Sequence, residues 1–514
     1  MSKLARLTSR NEVGVEILDT KAQILSRRVW EILLLLPTHP DIQRGLQEIR
    51  PGSDFHTLLD PNSSQKLLYS FYLIDWLGRP ARLRRYSGVM DSARPGSSAS
   101  TGTPPSSSGW VNQFIVAGGL KHLFGVFRSG ALGRQGEPCW SEWKLDCLGF
   151  LLRLLVQFGV DQADVDTLAD QLAESTTTST RKRNKWIFSR KAANSDRMLV
   201  PLLSSDMIDL MQGKEVLEQL GEVFTDASSY ARESTQYKTG LYGRSQVIHF
   251  ALALLVSWVY SADQAGGGMD LFTGCGMAGW LKCLLLEDPD PAVRREVCTG
   301  IYRLCLGSAS NGNTGVHCVA PILSILLEYL EEAQSMKPHR RESLNHSVGM
   351  EEPGKEPFGP ACRDYFWILA KLVENLKDEA VDAAYVDTST LALKLIHGIT
   401  SRQCYERRHG GHSASTDDAL IGMLNLMSAV VKQRPPIKQE SHYQDFVKKL
   451  FQYLFSLPSP TEKLLPKCKS TQSRTACYDL LGDLVRGCLG NYVALHNLLL
   501  TQHAPGIQLV VYFQ

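Results

Sequence analysis

Cys404 is followed by His409 and His412 within the stretch Ser401 to Ser415, the nearest approach in this sequence to a thiol beside an imidazole base. Such a pair could run nucleophilic acyl transfer, the imidazole taking the thiol proton. Nucleophile and base usually converge from distant positions, however, and the surrounding residues are those of an exposed polar loop, so an incidental grouping accounts for them. His317 and Cys318 are adjacent and open an apolar helical stretch, where packing at the helix start accounts for both. Glycines cluster at Gly266, Gly267 and Gly268 and again at Gly274 and Gly276, but no lysine and serine or threonine pair follows at phosphate-loop spacing and no strand precedes. They read as a turn between Tyr260 and Trp280. Arg181, Lys182, Arg183 and Lys185 read as a solvated basic loop, with nuclear import or an anionic contact as the alternative. Arg340, Arg341 and Ser343 have the arginine-arginine-x-serine spacing that basophilic kinases read. No two cysteines form a C-x-x-C pair, so the usual structural zinc signature is missing. These residues give no catalytic site, no cofactor-binding site, no metal site and no cofactor.

The elements that would have to position any such chemistry are helices. The chain has 514 residues, 43% apolar and 21% charged, which is enough burial for folded structure but too much length for one compact core. Several domains or one extended repeat array are the alternatives. The net charge of +2 supplies no field to hold a polyanion, so nucleic acid is not expected as a partner. The longest apolar run, Phe250 to Tyr260, is far short of the roughly 20 residues of a membrane span, so no membrane partner is expected and the run reads as a buried helix. Met1 to Arg10 has no following apolar block, which speaks against a secretory signal. The twelve cysteines are dispersed through apolar helical patterns and read as reduced core residues of a cytoplasmic protein.

Periodicity of three and four dominates. In Asp60 to Gly78, Asp60 is expected as N-cap with Pro61 at the first helical position, and Leu67, Phe71, Ile74 and Leu77 form the buried stripe. Trp140 to Phe158 places Leu148, Leu151, Leu152 and Leu155 on one face, and Tyr365 to Leu376 does so with Ile368, Leu372 and Val373. Trp30, Trp76, Trp140, Trp143 and Trp367 read as core or ridge packing. Two segments carry more. A turn with Pro289 and Pro291 followed by Val293, Arg294, Val297, Cys298, Ile301, Leu304 and Cys305 resembles the second helix of a HEAT-type repeat, in which an acidic turn and an arginine bridge neighbouring units. Gly118 and Gly119, between Phe114 and Ile115 on one side and Leu120, Leu123, Phe124 and Phe127 on the other, resemble an armadillo-type helix, glycine turn, helix junction.

The expected architecture is therefore an all-α, armadillo/HEAT-like helical-repeat solenoid with disordered insertions. Helical repeats are expected over 1–86, 110–334 and 360–503. A Ser/Pro/Gly-rich linker at 87–109, a basic loop at 176–190 and a polar linker at 335–359 interrupt them, and 504–514 form an atypical tail.

The most informative stretch is Pro466, Lys467, Cys468, Lys469 and Ser470, then Ser473, Arg474, Thr475, Ala476, Cys477, Tyr478, Asp479, Leu480 and Leu481. It resembles the helix preceding the catalytic domain of giant ubiquitin-specific proteases, which carry long armadillo/HEAT-like arrays around a cysteine protease domain. Ser470 or Thr471 is expected to cap that helix, with Cys477, Leu480, Leu481, Leu484, Val485 and Cys488 buried. Trp30 to Pro40, Trp110 to Phe127, and Ile399 to Arg407 are similar to the same region in collinear order. The family's box around its catalytic cysteine and its glycine-histidine-tyrosine box around the base do not occur in these residues, and the apolar Ile507 to Gln514 departs from the expected run toward a protease domain. The resemblance therefore implies a fragment, truncated gene model or short isoform. Its expected role is a non-catalytic scaffold in ubiquitin-dependent protein turnover, cytoplasmic and with access to the nucleus, whose concave surface takes proteins as partners, ubiquitinated substrates or regulators. A free-standing armadillo/HEAT adaptor with no protease attached is the alternative.

Overall fold

The computed structural model describes residues 8–10, 16–18, 20–35, 40–78, 107–134, 141–161, 198–212, 214–233, 244–261, 277–288, 290–312, 315–335, 362–375, 391–399, 414–454 and 471–501. The chain divides into two compact units, Met1–Trp280 with Gly307–Thr314, and Leu281–Leu306 with Gly315–Gln514.

The helices of the first unit are α1 (Thr20–Leu35), α2 (Pro40–Gln47), α3 (Phe55–Leu58), α4 (Ser64–Gly78), α5 (Ser107–Val116), α6 (Gly119–Arg128), α7 (Glu142–Gly159), α8 (Ser205–Leu210), α9 (Lys214–Glu233), α10 (Arg244–Ser261) and α11 (Met277–Leu281), the last reaching its boundary. Among the described residues strands are confined to three-residue pieces. β1 (Thr8–Arg10) pairs antiparallel with β2 (Glu16–Leu18), and β3 (Met198–Val200) pairs in parallel with β4 (Gly307–Ala309).

α4, α7 and α10 form a row, α7 packing on both its neighbours, while α5, α6 and α9 lie against them as a second layer. The row is apolar because each helix is covered on two sides. In α4 the expected stripe Leu67, Phe71, Ile74 and Leu77 is buried, as are Leu148, Leu151, Leu152 and Leu155 of α7. The apolar run Phe250 to Tyr260 lies within α10, and no helix among the described residues is long and apolar enough to cross a membrane. Arg153 of α7 pairs with Asp75 of α4 at 3.1 Å in the buried seam between them. Trp30 meets Trp143 edge-on at 5.5 Å, and Trp110 donates from its indole nitrogen to the Leu46 carbonyl at 2.9 Å, so these rings are core elements.

The expected start of α4 is corrected. The helix begins at Ser64, and Asp60 instead accepts from the Asn62 amide at 3.0 Å, closing a turn that contains Pro61. An aspartate side chain satisfies a turn amide as readily as a helix amide, so the cap signal does not distinguish them.

The α5–α6 junction is as expected. Gly118 has φ of +90°, in the left-handed region, and a β-carbon on Gly119 would stand 2.4 Å from the Phe114 ring. Two glycines therefore serve two needs, one conformational and one steric.

The second unit opens with a π-helical turn (Lys282–Glu287) and continues with α12 (Pro291–Leu306), α13 (Val316–Ser335), α14 (Cys362–Glu374), α15 (391–399), α16 (Ala414–Gln433), a 3-10 turn (Pro435–Gln439), α17 (Ser441–Leu454), α18 (Thr471–Val485) and α19 (Leu489–Thr501). Here α12, α14, α16 and α18 form the row, with α13 and α17 layered on it. Gly422 lets α16 approach α14 closely, since a β-carbon there would stand 2.5 Å from that of Phe366. Alternating rows in which each helix leans on near sequence neighbours are the packing of an all-α helical repeat, the expected fold class.

Ile368, Leu372 and Val373 of α14 are buried as expected. Trp367 is 41% exposed and lies against Tyr302 of α12, so of the core or ridge packing expected for it the structure excludes core. In α18 the stripe holds at Cys477, Leu480, Leu481 and Leu484, Val485 is only half-buried, and Cys488 is buried just past the helix end. Thr471 is the first residue of that helix rather than its cap, and its carbonyl accepts from the Thr475 hydroxyl at 3.0 Å.

Candidate functional site

Reactive thiols are the natural starting point, because the resemblance is to cysteine proteases. Burial drives three of the described thiols the wrong way for nucleophilic chemistry. Cys298 and Cys305 are pushed well above the ordinary thiol range by loss of solvation, and Cys318 is raised to about 12. Other thiols serve as hydrogen-bond donors: Cys147 points to the Ser64 carbonyl at 3.1 Å and Cys488 to that of Lys438 at 3.4 Å. Cys318 belongs to the first turn of α13 with its amide on the Gly315 carbonyl at 2.9 Å, the helix-start role expected for it.

Cys404, His409, His412, the glycine clusters at Gly266–Gly268 and Gly274 to Gly276, the basic cluster Arg181 to Lys185, and Arg340, Arg341 and Ser343 lie outside the described residues. So do Trp140, the segment Pro466 to Ser470, and the tail from His503. Among the described residues no group of three His, Cys, Asp or Glu side chains could hold a metal ion.

Three polar constellations escape the sequence reading or exceed it. The first bridges two helices. Arg294, nearly fully buried on α12, donates from Nε to Asp364 of α14 at 2.9 Å and from a terminal nitrogen to the Asp288 carbonyl at 2.6 Å. Asp288 and Asp290 in turn receive the Asp290 and Ala292 amides, each at 2.9 Å, closing the acidic turn at the start of α12. This is the arginine bridge that the HEAT-like pattern implies.

The second pairs two histidines. His56 of α3 and His122 of α6 stand edge to face with centroids 4.7 Å apart. Partial burial lowers the His122 pKa, and the neighbouring His56 lowers it further. Asp54, at the start of α3, accepts from the Thr57 hydroxyl and amide, which hold its carboxyl below the usual carboxylate range.

The third closes the end of α18. Lys438 is buried and donates to the carbonyls of Asp483 at 2.8 Å and Arg486 at 3.0 Å, neutralising unpaired helix-end acceptors. Burial lowers its pKa. Asn491 donates to the carbonyls of Lys438 and Leu484, and the Asp483 carboxylate takes the Ser428 hydroxyl and the Lys432 ammonium, the latter at 3.1 Å. Nothing in residue spacing marks this cluster, since its members lie up to 63 positions apart between Ser428 and Asn491.

A few large apolar and aromatic side chains are exposed. Trp367 lies against Tyr302 of α12 at 6.1 Å, and α19 exposes Leu489, Tyr492, Val493 and Leu500.

The chain is 35% identical over 503 residues to human ubiquitin carboxyl-terminal hydrolase 34, a match spanning 95% of this chain and 14% of that protein. The mouse ubiquitin carboxyl-terminal hydrolase 34 is likewise 35% identical over 504 residues, with the same shares. The ubiquitin carboxyl-terminal hydrolase puf of Drosophila melanogaster is 30% identical over 627 aligned residues, 95% of this chain and 15% of that protein. No protein-family profile matches the chain. The resemblance to giant ubiquitin-specific proteases read from the sequence thus holds along nearly the whole chain, which spans about one seventh of the relatives it matches.

Proposed function

We propose, from the chain's correspondence to one segment of the giant ubiquitin carboxyl-terminal hydrolases, that it is a non-catalytic helical-repeat scaffold which positions ubiquitinated substrates or regulators for a deubiquitinating centre in a longer protein. The observation that carries this reading is the match over 95% of the chain to 14% of proteins named for ubiquitin hydrolysis. Among the described residues, buried thiols and cations engaged in packing support it. Cys298, Cys305 and Cys318 are kept protonated by burial, and Arg294 and Lys438 are committed to bridging helices. Such a surface can contribute binding energy and orientation to a reaction that takes place elsewhere. The cytoplasm, with access to the nucleus, is the proposed site of action.

The test is deletion of this segment from a full-length relative with its protease intact. Removal should slow cleavage of a polyubiquitinated protein while leaving hydrolysis of a ubiquitin–coumarin conjugate at its original rate. Unchanged rates on both substrates would refute the positioning role.

A further inference from the structure

We propose that the face shared by α12 and α14 around Trp367 docks an acidic protein segment carrying an apolar anchor residue. This deepens the scaffold reading by giving the partner a chemistry, and it rests on that reading only for its biological setting.

The argument begins with helix geometry. Contacts from Arg294 to Asp364 and from Tyr302 to Trp367 advance together along both chains, so the two helices run in the same direction. Residues three, four and seven apart share a face. On α12 that face carries Arg295, Thr299 and Tyr302, and on α14 it carries Arg363, Trp367 and Lys371. The two exposed arginines therefore lie toward the same end of the strip, about one to two turns from the aromatic pair.

Trp367 is the anomaly that calls for a partner. Its immediate neighbours Phe366, Ile368 and Leu369 are buried, whereas its own ring is 41% exposed against the half-buried Tyr302 at 6.1 Å. Tryptophan, tyrosine and arginine together are the residue types that dominate binding energy at protein interfaces. Charge selects among occupants. The nearby acids are engaged, Asp364 by Arg294 at 2.9 Å and Glu374 by Lys371 at 2.7 Å, and Glu296 lies close enough to Arg303 to act on its pKa. The strip thus offers two exposed guanidinium groups to a carboxylate while the indole takes an apolar side chain, and arginine forks match carboxylates in pairs.

The experiment is fluorescence anisotropy with the whole 514-residue chain. The probe is a fluorescein-labelled peptide in which glutamate pairs flank a leucine-phenylalanine anchor, and the control replaces every glutamate by lysine. Saturable binding of the acidic peptide is expected, weakened roughly tenfold or more by Trp367→Ala and comparably by the double variant Arg295→Glu with Arg363→Glu. Both variants alter exposed positions, and circular dichroism melts unchanged from the parent identify them as folded. The proposal is overturned if the acidic peptide fails to saturate by about 1 mM, if the lysine peptide binds equally, or if the folded variants bind as the parent does. Binding of a single-stranded oligonucleotide at this face in place of the peptide would overturn it as well. None of these outcomes depends on whether the longer protein cleaves ubiquitin, so this inference and the scaffold reading fail separately.

Discussion

Arg294 of α12 reaches Asp364 of α14 with Nε to Oδ2 at 2.9 Å, although 70 residues separate them in the chain. The same guanidinium holds the Asp288 carbonyl, so a single side chain secures both the turn that starts its own helix and the next helix of the row. The pair is buried on the arginine side and about one-fifth exposed on the aspartate side, which limits both its desolvation cost and its strength.

Arg294→Ala would leave Asp364 without its cation and the Asp288 carbonyl without a donor. A destabilisation of about 2–4 kcal/mol is expected, discounted for the exposure of Asp364. Urea unfolding followed by circular dichroism should show a lower midpoint, with Arg294→Met recovering part of the loss by filling the apolar volume.

Three glycine substitutions should separate space from conformational freedom. Gly119→Ala puts a β-carbon 2.4 Å from the Phe114 ring and should cost about 1–3 kcal/mol. Gly422→Ala, at 2.5 Å from Phe366, should behave alike. Gly125→Ala, an interior position of α6 with nothing within 4 Å, should stabilise by about 0.5–1 kcal/mol. Thermal melts of the three variants check the signs.

Much of this was legible in the sequence and some was not, for identifiable reasons. Gly118 and Gly119 announced a helix junction because one position needs a left-handed backbone and the next leaves no room for a β-carbon, and glycine meets both needs. Arg294 stood out as a cation within an apolar stripe, but its partner Asp364 could not be named, since pairing across a solenoid row depends on register rather than spacing. Trp367 reads as core or ridge, and periodicity alone does not say which of the two, because it does not decide how far an aromatic beside Phe366 and Ile368 turns outward. Asp60 signalled a cap in a place where its side chain closes a turn. The Lys438 and Asp483 cluster was invisible, its members meeting only through the tertiary fold.

His122 sets a pH dependence. Its folded pKa is below the ordinary value of 6.5, so as pH falls through 6.5 the unfolded chain takes up a proton that the folded chain resists. Stability should therefore decline from neutral pH downward and level off below the folded pKa. His122→Gln should flatten this part of the profile, whereas His56→Gln, which removes one of the lowering influences, should make the decline shallower. Urea midpoints between pH 7.5 and 5 test the sign.

The buried thiols should resist modification in the folded chain. Iodoacetamide at pH 7.4 should leave Cys298, Cys305 and Cys318 unmodified by peptide mass spectrometry, and should alkylate all three once the chain is unfolded in guanidinium. Rapid labelling of any of them in native conditions would mean that the α12–α13 layer opens readily.

The most direct test of a scaffold without its own reaction centre is turnover by the purified 514-residue chain on a ubiquitin–coumarin conjugate. The predicted result is release of coumarin at the buffer rate, with and without reducing agent. Catalytic release that is abolished by a thiol-blocking reagent would contradict the account.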